Sequence, residues 1–352
     1  MIATPMRTGI ARYIDELARA LRSEMGDALV ESDAFDLWNG VASRGRSSFK
    51  GIVRGIAREH MMLPGRLRQW GIDVYHATAS RPPSRRVSIP LVVTVHDFAA
   101  YEYPDLQGLR RGAKLRRQLE RAVADPSLIV VPSESVRREM GILFPQHAAK
   151  ARVARHGVAA VFQRPRGATA KPTFVAIATL EKRKNLATLI DAFALVAARH
   201  PDARLRLIGQ PHNDIGTIRD RLKRRGLVHA VSVEGYLSDE AVADAYAGAT
   251  GTVYPSLYEG FGLPIIESMS AGAPVIAADI PVTREVAADA ALFVEPLDAE
   301  ALGAAMLRLI DDSELNRALS EAGRARAALF TWERSARDHI NVYHEAHQTS
   351  RS

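Results

Sequence analysis

Two glutamates eight positions apart, Glu259 and Glu267, bracket the run Gly260-Phe261-Gly262-Leu263-Pro264 in PSLYEGFGLPIIESMSAG. A carboxylate ahead of a glycine-bearing turn, then a proline and an apolar run, predicts strand, turn and helix in succession. Proline suits the first helical position because its ring presets φ and its missing N–H would have had no partner there. The helix is therefore expected to open at Pro264, with Glu267 in its first turn. Backbone N–H groups at a helix start suit an anion, and carboxylates accept hydrogen bonds from hydroxyls. A ligand that joins phosphate to polyol, a sugar nucleotide, meets both demands. On this reading Glu259 takes sugar hydroxyls and Glu267 takes ribose hydroxyls. The amides of Gly260, Phe261, Gly262 and Leu263 face sugar and phosphate.

A second cluster is Glu181-Lys182-Arg183-Lys184-Asn185. Three cations stand directly before a helix expected from about Asn185. A helix N-terminus favours negative charge, so cations there are misplaced unless an anion sits between them. The cluster reads as a diphosphate clamp, with a solvated turn as the plain alternative. His96 and Asp97 close the apolar run PLVVTVHD, where an imidazole is either a surface polar group or part of a site, and Asp97 can cap the next segment. No G-x-S-x-G elbow accompanies them, so a Ser-His nucleophile is not expected. Gly9, in RTGIARY, precedes an amphipathic helix. It marks an ordinary helix start or a close approach of backbone to ligand, with Arg12 in the same loop. His76, in DVYHATAS, reads as a satisfied buried histidine, with a part in acceptor binding as the alternative. The histidines lack metal-ligand spacing, no Asp-x-Asp pair accompanies the candidate site, and the chain has no cysteine. Disulfides, thiolate metal sites and thiol nucleophiles are thereby excluded, and no metal or cofactor is expected.

These residues need a frame that brings distant loops together. Short continuous runs rich in Val and Ile predict buried strands at 73–77, 90–97, 127–133, 173–180, 204–209, 231–236, 251–256 and 274–279. Helical patterns intervene at 10–23, 108–124, 186–199, 214–226, 239–248, 264–271 and 298–312, and the tail at 330–347 reads as a final amphipathic helix. Alternation of this kind implies parallel α/β sheets with crossover helices, with ligands at the carboxyl ends of the strands. A length of 352 residues exceeds one ordinary core. The Pro- and Gly-bearing stretch 162–172 is the best linker. The expected division is residues 1–165, 166–330 and a terminal helix at 331–352 that crosses back to the first domain. A strand is expected before the first helix, yet little chain precedes Gly9.

Charge is uneven. Residues 1–168 carry 27 Lys and Arg against 16 Asp and Glu, whereas residues 169–352 carry 20 against 24. A basic first half suits an anionic partner. No aromatic-basic interleaving or zinc spacing supports nucleic acid. Arg110, Lys114, Arg117 and Arg121 form one helical stripe, which is a solvated face or a contact for anionic lipid. No signal peptide is read at the N-terminus, where Arg12, Asp15 and Glu16 break any apolar run, and no transmembrane segment is expected.

The stretch YPSLYEGFGLPIIESMSAGAPVIAAD resembles the signature of the retaining nucleotide-sugar glycosyltransferases of group 1. ATLEKRKNLATLIDAF is similar to that family's donor-phosphate loop, and VTVHD, VPSESV, ARHGVAAVF and FTWERSA stand where the family places them. The resemblance implies a GT-B fold, two Rossmann-like domains facing each other across a cleft. The N-terminal domain would bind the acceptor and the C-terminal domain the nucleotide sugar. It matches His96 to the active-site histidine that touches the donor sugar, Lys184 to the phosphate-binding lysine and Gly9 to a glycine loop near the donor phosphate. The family's Gly-Arg after the first strand of the donor domain is replaced at Thr179, which leaves Arg183 to supply that charge. EKRKN with FTWE looks most like a mannosyltransferase or rhamnosyltransferase branch acting in surface polysaccharide assembly. The implied reaction moves a hexose, from GDP-mannose by preference, to a glycan or lipid-linked acceptor with retention and without metal. The implied location is the cytoplasm or the inner membrane face. A sugar-nucleotide epimerase or hydrolase, and a non-catalytic nucleotide-sugar-binding subunit, are the alternatives.

Overall fold

The computed structural model describes residues 9–28, 63–65, 67–83, 86–103, 109–167, 170–211 and 214–350. The strand expected before Gly9, and the side chains of Arg110 and Arg111, lie outside the described residues. Two compact units are present. One gathers the described residues up to Tyr101, then Leu109–Arg155 and the chain from Trp332 onward. The other gathers Glu102, Tyr103 and His156–Thr331.

The first unit is built on a parallel sheet of β1 (Tyr75–Ala77), β2 (Leu91–Thr94), β3 (Leu128–Val131) and β4 (Ala151–Val153), in that order. Every residue of β2 and β3 is buried, as continuous apolar strands covered on both faces should be. On one face Val93, Val95, Ile129 and Val131 pack with Leu119 and Val123 of the helix Leu109–Ala124 and with Val136 and Met140 of the helix Glu134–Leu143. On the other, Val92, Leu128 and Val130 pack with Val342 and Ala346 of the last helix, Trp332–Thr349. The first helix, Gly9–Met25, lies against that last helix through Tyr13, Leu17 and Leu21 on Trp332 and Ala336. Of the basic stripe, Lys114 and Arg117 are exposed. Arg121 donates to the Pro83 carbonyl and pairs with Asp125. Among the described residues no helix is long and apolar enough to cross a membrane.

The second unit has six parallel strands in the order β10-β9-β8-β5-β6-β7: β5 (Thr173–Ile177), β6 (Arg204–Ile208), β7 (Val231–Glu234), β8 (Gly251–Tyr254), β9 (Val275–Ala278) and β10 (Ala291–Val294). The chain runs outward from β5 to β7, returns to the centre at β8, and runs outward the other way. The helices that follow β5 and β8 therefore leave in opposite senses, and this reversal opens a crevice at the carboxyl ends of the two strands. One face is packed by Leu189, Ile190 and Phe193 of the helix Leu186–Arg199 against Met306 and Leu309 of the helix Ala299–Asp311. The other is packed by Ile265, Ile266 and Met269 of the helix Leu263–Ser270 with Val282 and Val286. At the end of β6, Gly209 has φ +149°, and a Cβ there would lie 2.0 Å from the carbonyl oxygen of Ala178. Only glycine allows the loops after β5 and β6 to approach this closely.

All eight strands read from the sequence are present, trimmed at their ends, and two more join them. β4 and β10 are edge strands with partly exposed residues; β4 is three residues long with Arg152 at its centre, and β10 is a short apolar run without isoleucine. The stretch 162–167 is tied into the second unit: Phe162 is fully buried, the Arg164 carbonyl accepts from Arg324, and the Gly167 amide donates to the Ala247 carbonyl.

Phe193 is fully buried in the larger cluster of the second unit. Phe193→Ala is expected to cost about 3–5 kcal/mol through lost transfer energy and a cavity. Hydrogen exchange of the β5 and β6 amides reads this for the second unit separately, and unchanged protection would contradict the packing described.

Candidate functional site

The loops after β5 and β8, the two strands at the reversal of the second sheet, carry the residues singled out by their chemistry. Lys182–Lys184 form one 3-10 turn, and Asn185 then takes a left-handed conformation, φ 54°, to start the helix Leu186–Arg199. Asparagine tolerates this region because its short side chain hydrogen-bonds locally. Asn185 is buried; its Nδ2 donates to the Pro255 carbonyl at 3.2 Å and its Oδ1 accepts from the Thr188 hydroxyl at 2.7 Å. The Leu257 amide donates to the Arg183 carbonyl at 2.9 Å. Side chain and backbone thus join the two loops into one structure.

Within it, Lys184 Nζ donates to Glu259 Oε1, and Arg183 Nη1 lies 3.0 Å from Glu259 Oε2. The carboxylate side chain is 10% exposed and that of Lys184 12%. Burial alone would raise the Glu259 pKa. The Lys184 and Arg183 charges, with hydrogen bonds from Lys184 and Ser256, override it and bring the pKa to about 2. Arg183 is itself engaged by Glu181 at 2.8 Å and by the Tyr258 carbonyl at 2.6 Å. The Lys184 ammonium also lies 5.9 Å from the centre of the Tyr254 ring. Burial, and then the Glu259 charge, raise the Tyr254 phenol well above its usual value. An ammonium carries three N–H donors, so the bond to Glu259 leaves Lys184 capacity for phosphate oxygens.

The turn after Glu259 has the expected form with a shifted boundary. Gly262 is the N-cap at φ +98°, and a Cβ there would press on Ile265 at 3.2 Å. The helix opens at Leu263, so Pro264 is its second residue. Glu267 is its fifth, beyond the first turn where the sequence reading puts it, and is 2% exposed. The Phe261 ring points into the core, 4.8 Å from the His156 ring and 5.9 Å from that of Phe330, so only its backbone is offered to a ligand. Gly260, Gly262 and Leu263 follow Glu259 in the same turn. Tyr254, Ser256 and Glu181 were not singled out from the sequence. All three lie within five residues of Lys184 or Glu259, and Ser256 and Glu181 were legible as polar residues at strand ends.

His96 and Gly9 belong to the first unit. His96 follows β2, and its Nε2 lies 3.0 Å from the Thr78 carbonyl, so that nitrogen carries the proton. Its ring meets that of Tyr13 edge-on, with centroids 4.8 Å apart. Burial lowers its pKa, against the opposing pull of the Thr78 carbonyl and Asp97. Asp97 accepts from the Ala99 amide at 3.0 Å and caps the next turn. Gly9 is the exposed first residue of its helix. Among the described residues no group of three or more His, Asp or Glu is placed to hold a metal ion.

The depressed Glu259 pKa sets a pH dependence. Its contribution to stability is complete above the usual 4.5 and is lost as pH falls from there towards about 2. The difference in unfolding free energy between wild type and Glu259→Gln is expected to shrink over that window. Denaturant titrations at pH 6, 4 and 3 measure it, and a constant difference would show that the carboxylate is not held by those cations.

The chain resembles known proteins. A family model described as "Glycosyl transferases group 1" matches residues 160–326, and one described as "Glycosyltransferase Family 4" matches residues 7–161. The O-antigen chain mannosyltransferase B of Escherichia coli is 28% identical over 292 residues, which cover 79% of this chain and 75% of that protein. An MMP alpha-(1->4)-mannosyltransferase of Mycolicibacterium hassiacum is 28% identical over 278 residues, covering 74% of this chain and 66% of that one. Among solved structures, the sucrose-phosphate synthase of Thermosynechococcus elongatus superposes with a TM-score of 0.76 at 20% identity, over 97% of this chain and 96% of its own. Two successive parallel-sheet units, with a basic loop after β5 and an acidic glycine turn after β8, agree with both matches, and the chain belongs to the group 1 glycosyltransferases of GT-B fold.

Proposed function

We propose that this glycosyltransferase moves a hexosyl group, mannose by preference, from a nucleoside-diphosphate sugar to a glycan or lipid-linked acceptor in surface polysaccharide synthesis. The observation that carries the reading is the Lys184–Glu259 pair at the reversal of the second sheet, where a cation and a hydroxyl acceptor stand side by side. Lys184, with Arg183 beside it, would meet the diphosphate. Amides of the turn Gly260–Leu263 would add to the same field, and Glu259 would accept from the sugar. Glu267, further along the helix, is read as the ribose contact. The mannosyltransferase names of two relatives support mannose as the sugar moved; GDP-mannose is the donor that the resemblance implies.

The reaction forms a bond between an acceptor oxygen and the anomeric carbon and breaks the bond from that carbon to the diphosphate. Negative charge grows on the departing oxygen, and fixed cations there stabilise the transition state more than the ground state. The acceptor proton passes to the same departing oxygen, so configuration is retained and no separate carboxylate base is needed. Glu259 is thereby a binding group and not half of a glycosidase pair. With the charge met by Lys184 and amides, the reading requires no metal. His96 is the first unit's contribution to the reacting sugar, and the acceptor is assigned to that unit. The exposed Lys114 and Arg117 support a peripheral contact with anionic lipid.

Incubation of the protein with GDP-mannose and a membrane extract tests this. Transfer of labelled mannose is expected, with a loss of about a hundredfold or more in kcat for Lys184→Ala, the size seen when one preorganised charge-stabilising group is removed. Glu267→Gln is expected to weaken GDP binding. Epimerised or hydrolysed donor as the main product without an acceptor would replace the reading with the epimerase or hydrolase class. Tight donor binding without transfer to any acceptor would replace it with a binding subunit.

A further inference from the structure

In the first unit a continuous file of polar side chains runs beneath His96. His339 Nδ1 is 2.7 Å from the Ser335 carbonyl, and His339 Nε2 is 3.0 Å from the Tyr13 hydroxyl. That hydroxyl is 2.9 Å from Thr94 Oγ1, and Thr94 Oγ1 is 2.8 Å from His76 Nε2. His76 Nδ1 is 2.8 Å from the Tyr343 hydroxyl. Tyr13, Thr94 and His339 are fully buried, and the file draws on the first helix, β1, β2 and the last helix.

The direction of every bond is set from one end. A carbonyl only accepts, so His339 carries its proton on Nδ1. Burial holds this imidazole neutral, with a pKa lowered to about 4 despite the Ser335 carbonyl, so its Nε2 must accept from Tyr13. With its single proton used, Tyr13 accepts from Thr94. Thr94 in turn accepts from His76 Nε2–H. Burial, with His339 and His96 nearby, keeps His76 neutral as well, so its Nδ1 accepts from Tyr343. Five side chains thus share one consistent proton arrangement, fixed by a backbone carbonyl of the last helix.

We propose that this chain of hydrogen bonds exists to hold Tyr13, and that Tyr13 is a positioning residue for His96. The Tyr13 ring meets the imidazole edge-on, 84° between planes, while the Thr78 carbonyl takes its Nε2–H. The first of these contacts bears on the ring's tilt, and the second fixes its tautomer. The hydroxyl of Tyr13, clamped from β2 and from the last helix, fixes the first of them. A fully satisfied buried network is rigid in a way that isolated contacts are not. The last helix, far from His96 in sequence, therefore governs the orientation of that residue. The catalytic consequence rests on His96 serving the reacting sugar; the proton arrangement does not.

The full chain labelled with 15N-histidine tests both parts by long-range 1H–15N spectra at pH 7. Wild type is expected to show single neutral tautomers: Nδ1–H for His339, Nε2–H for His76 and Nε2–H for His96. Tyr13→Phe keeps the ring and removes the clamp, and Thr94→Val cuts the file beside it with little change of shape. In either variant the His96 ring signals are expected to shift and broaden while its Nε2–H tautomer, held by the Thr78 carbonyl, stays, and in Thr94→Ser to match wild type. If GDP-mannose is turned over, both cutting variants should lose about tenfold to a hundredfold in kcat with KM for GDP-mannose unmoved, and Thr94→Ser should recover it. No turnover of GDP-mannose by wild type counts against the functional reading alone, and the spectra then decide the positioning. A His76 Nδ1–H tautomer, or an unchanged His96 spectrum in the folded variants, overturns the proposal. Should Tyr13→Phe not fold, the Thr94→Val spectrum decides the question by the same two outcomes.

Discussion

A carboxylate taken out of water is costly unless opposite charge and hydrogen bonds replace the lost hydration. Glu259 meets that condition through Lys184, Arg183 and Ser256, and the rest of the second unit is arranged so that they reach it. Lys184 and Glu259 are 75 residues apart in the chain. They come together because β5 and β8 are neighbours and because Asn185 and the Arg183 carbonyl tie the two loops to each other. Removing one partner leaves the others only partly compensated, so the constraint acts on the whole cluster and not on a pair.

On the proposed function the same constraint serves chemistry. A lysine held at a fixed point, partly desolvated and already oriented, needs little rearrangement when negative charge grows beside it, and preorganisation of this kind is where electrostatic catalysis gains most. Gly209 marks where backbone must come close, and Gly262 where a left-handed φ is required, for the loops to take this form. In the first unit the analogous device is a hydrogen-bond file and not an ion pair. There the group to be held is a neutral imidazole, and neutral donors and acceptors hold it without imposing charge.

Much of this was legible in the sequence. Continuous apolar runs marked β2, β3, β5, β8 and β9 because buried parallel strands have no polar face to break the pattern, and β6 was legible from its leucines although Arg204 and Arg206 interrupt it. The acidic glycine turn and the Lys-Arg-Lys turn were legible because such residues at strand ends have no packing role. Edge strands β4 and β10 were not, since partly exposed strands carry a weak pattern. The helix Ser313–Ala327 was also missed. It comes directly after Ala299–Asp311, with Asp312 capping it and no strand between, against the alternation used to place the others. Glu267 was placed one position too early in its helix because proline marks a helix start only to within a residue or so. The pairing of Arg183 with Glu259, and the Tyr13–Thr94–His76 file, depend on residues brought together from separate elements, which periodicity does not report.

The central claim is that the Lys184–Glu259 cluster receives the diphosphate and sugar of the donor. A crystal structure of the protein with GDP-mannose measures this directly. The account predicts a diphosphate oxygen within hydrogen-bond distance of Lys184 Nζ and a mannose hydroxyl on Glu259. A donor seated elsewhere, for example in the groove lined by Arg166, Lys171 and Arg317 at the opposite end of the second sheet, would contradict it.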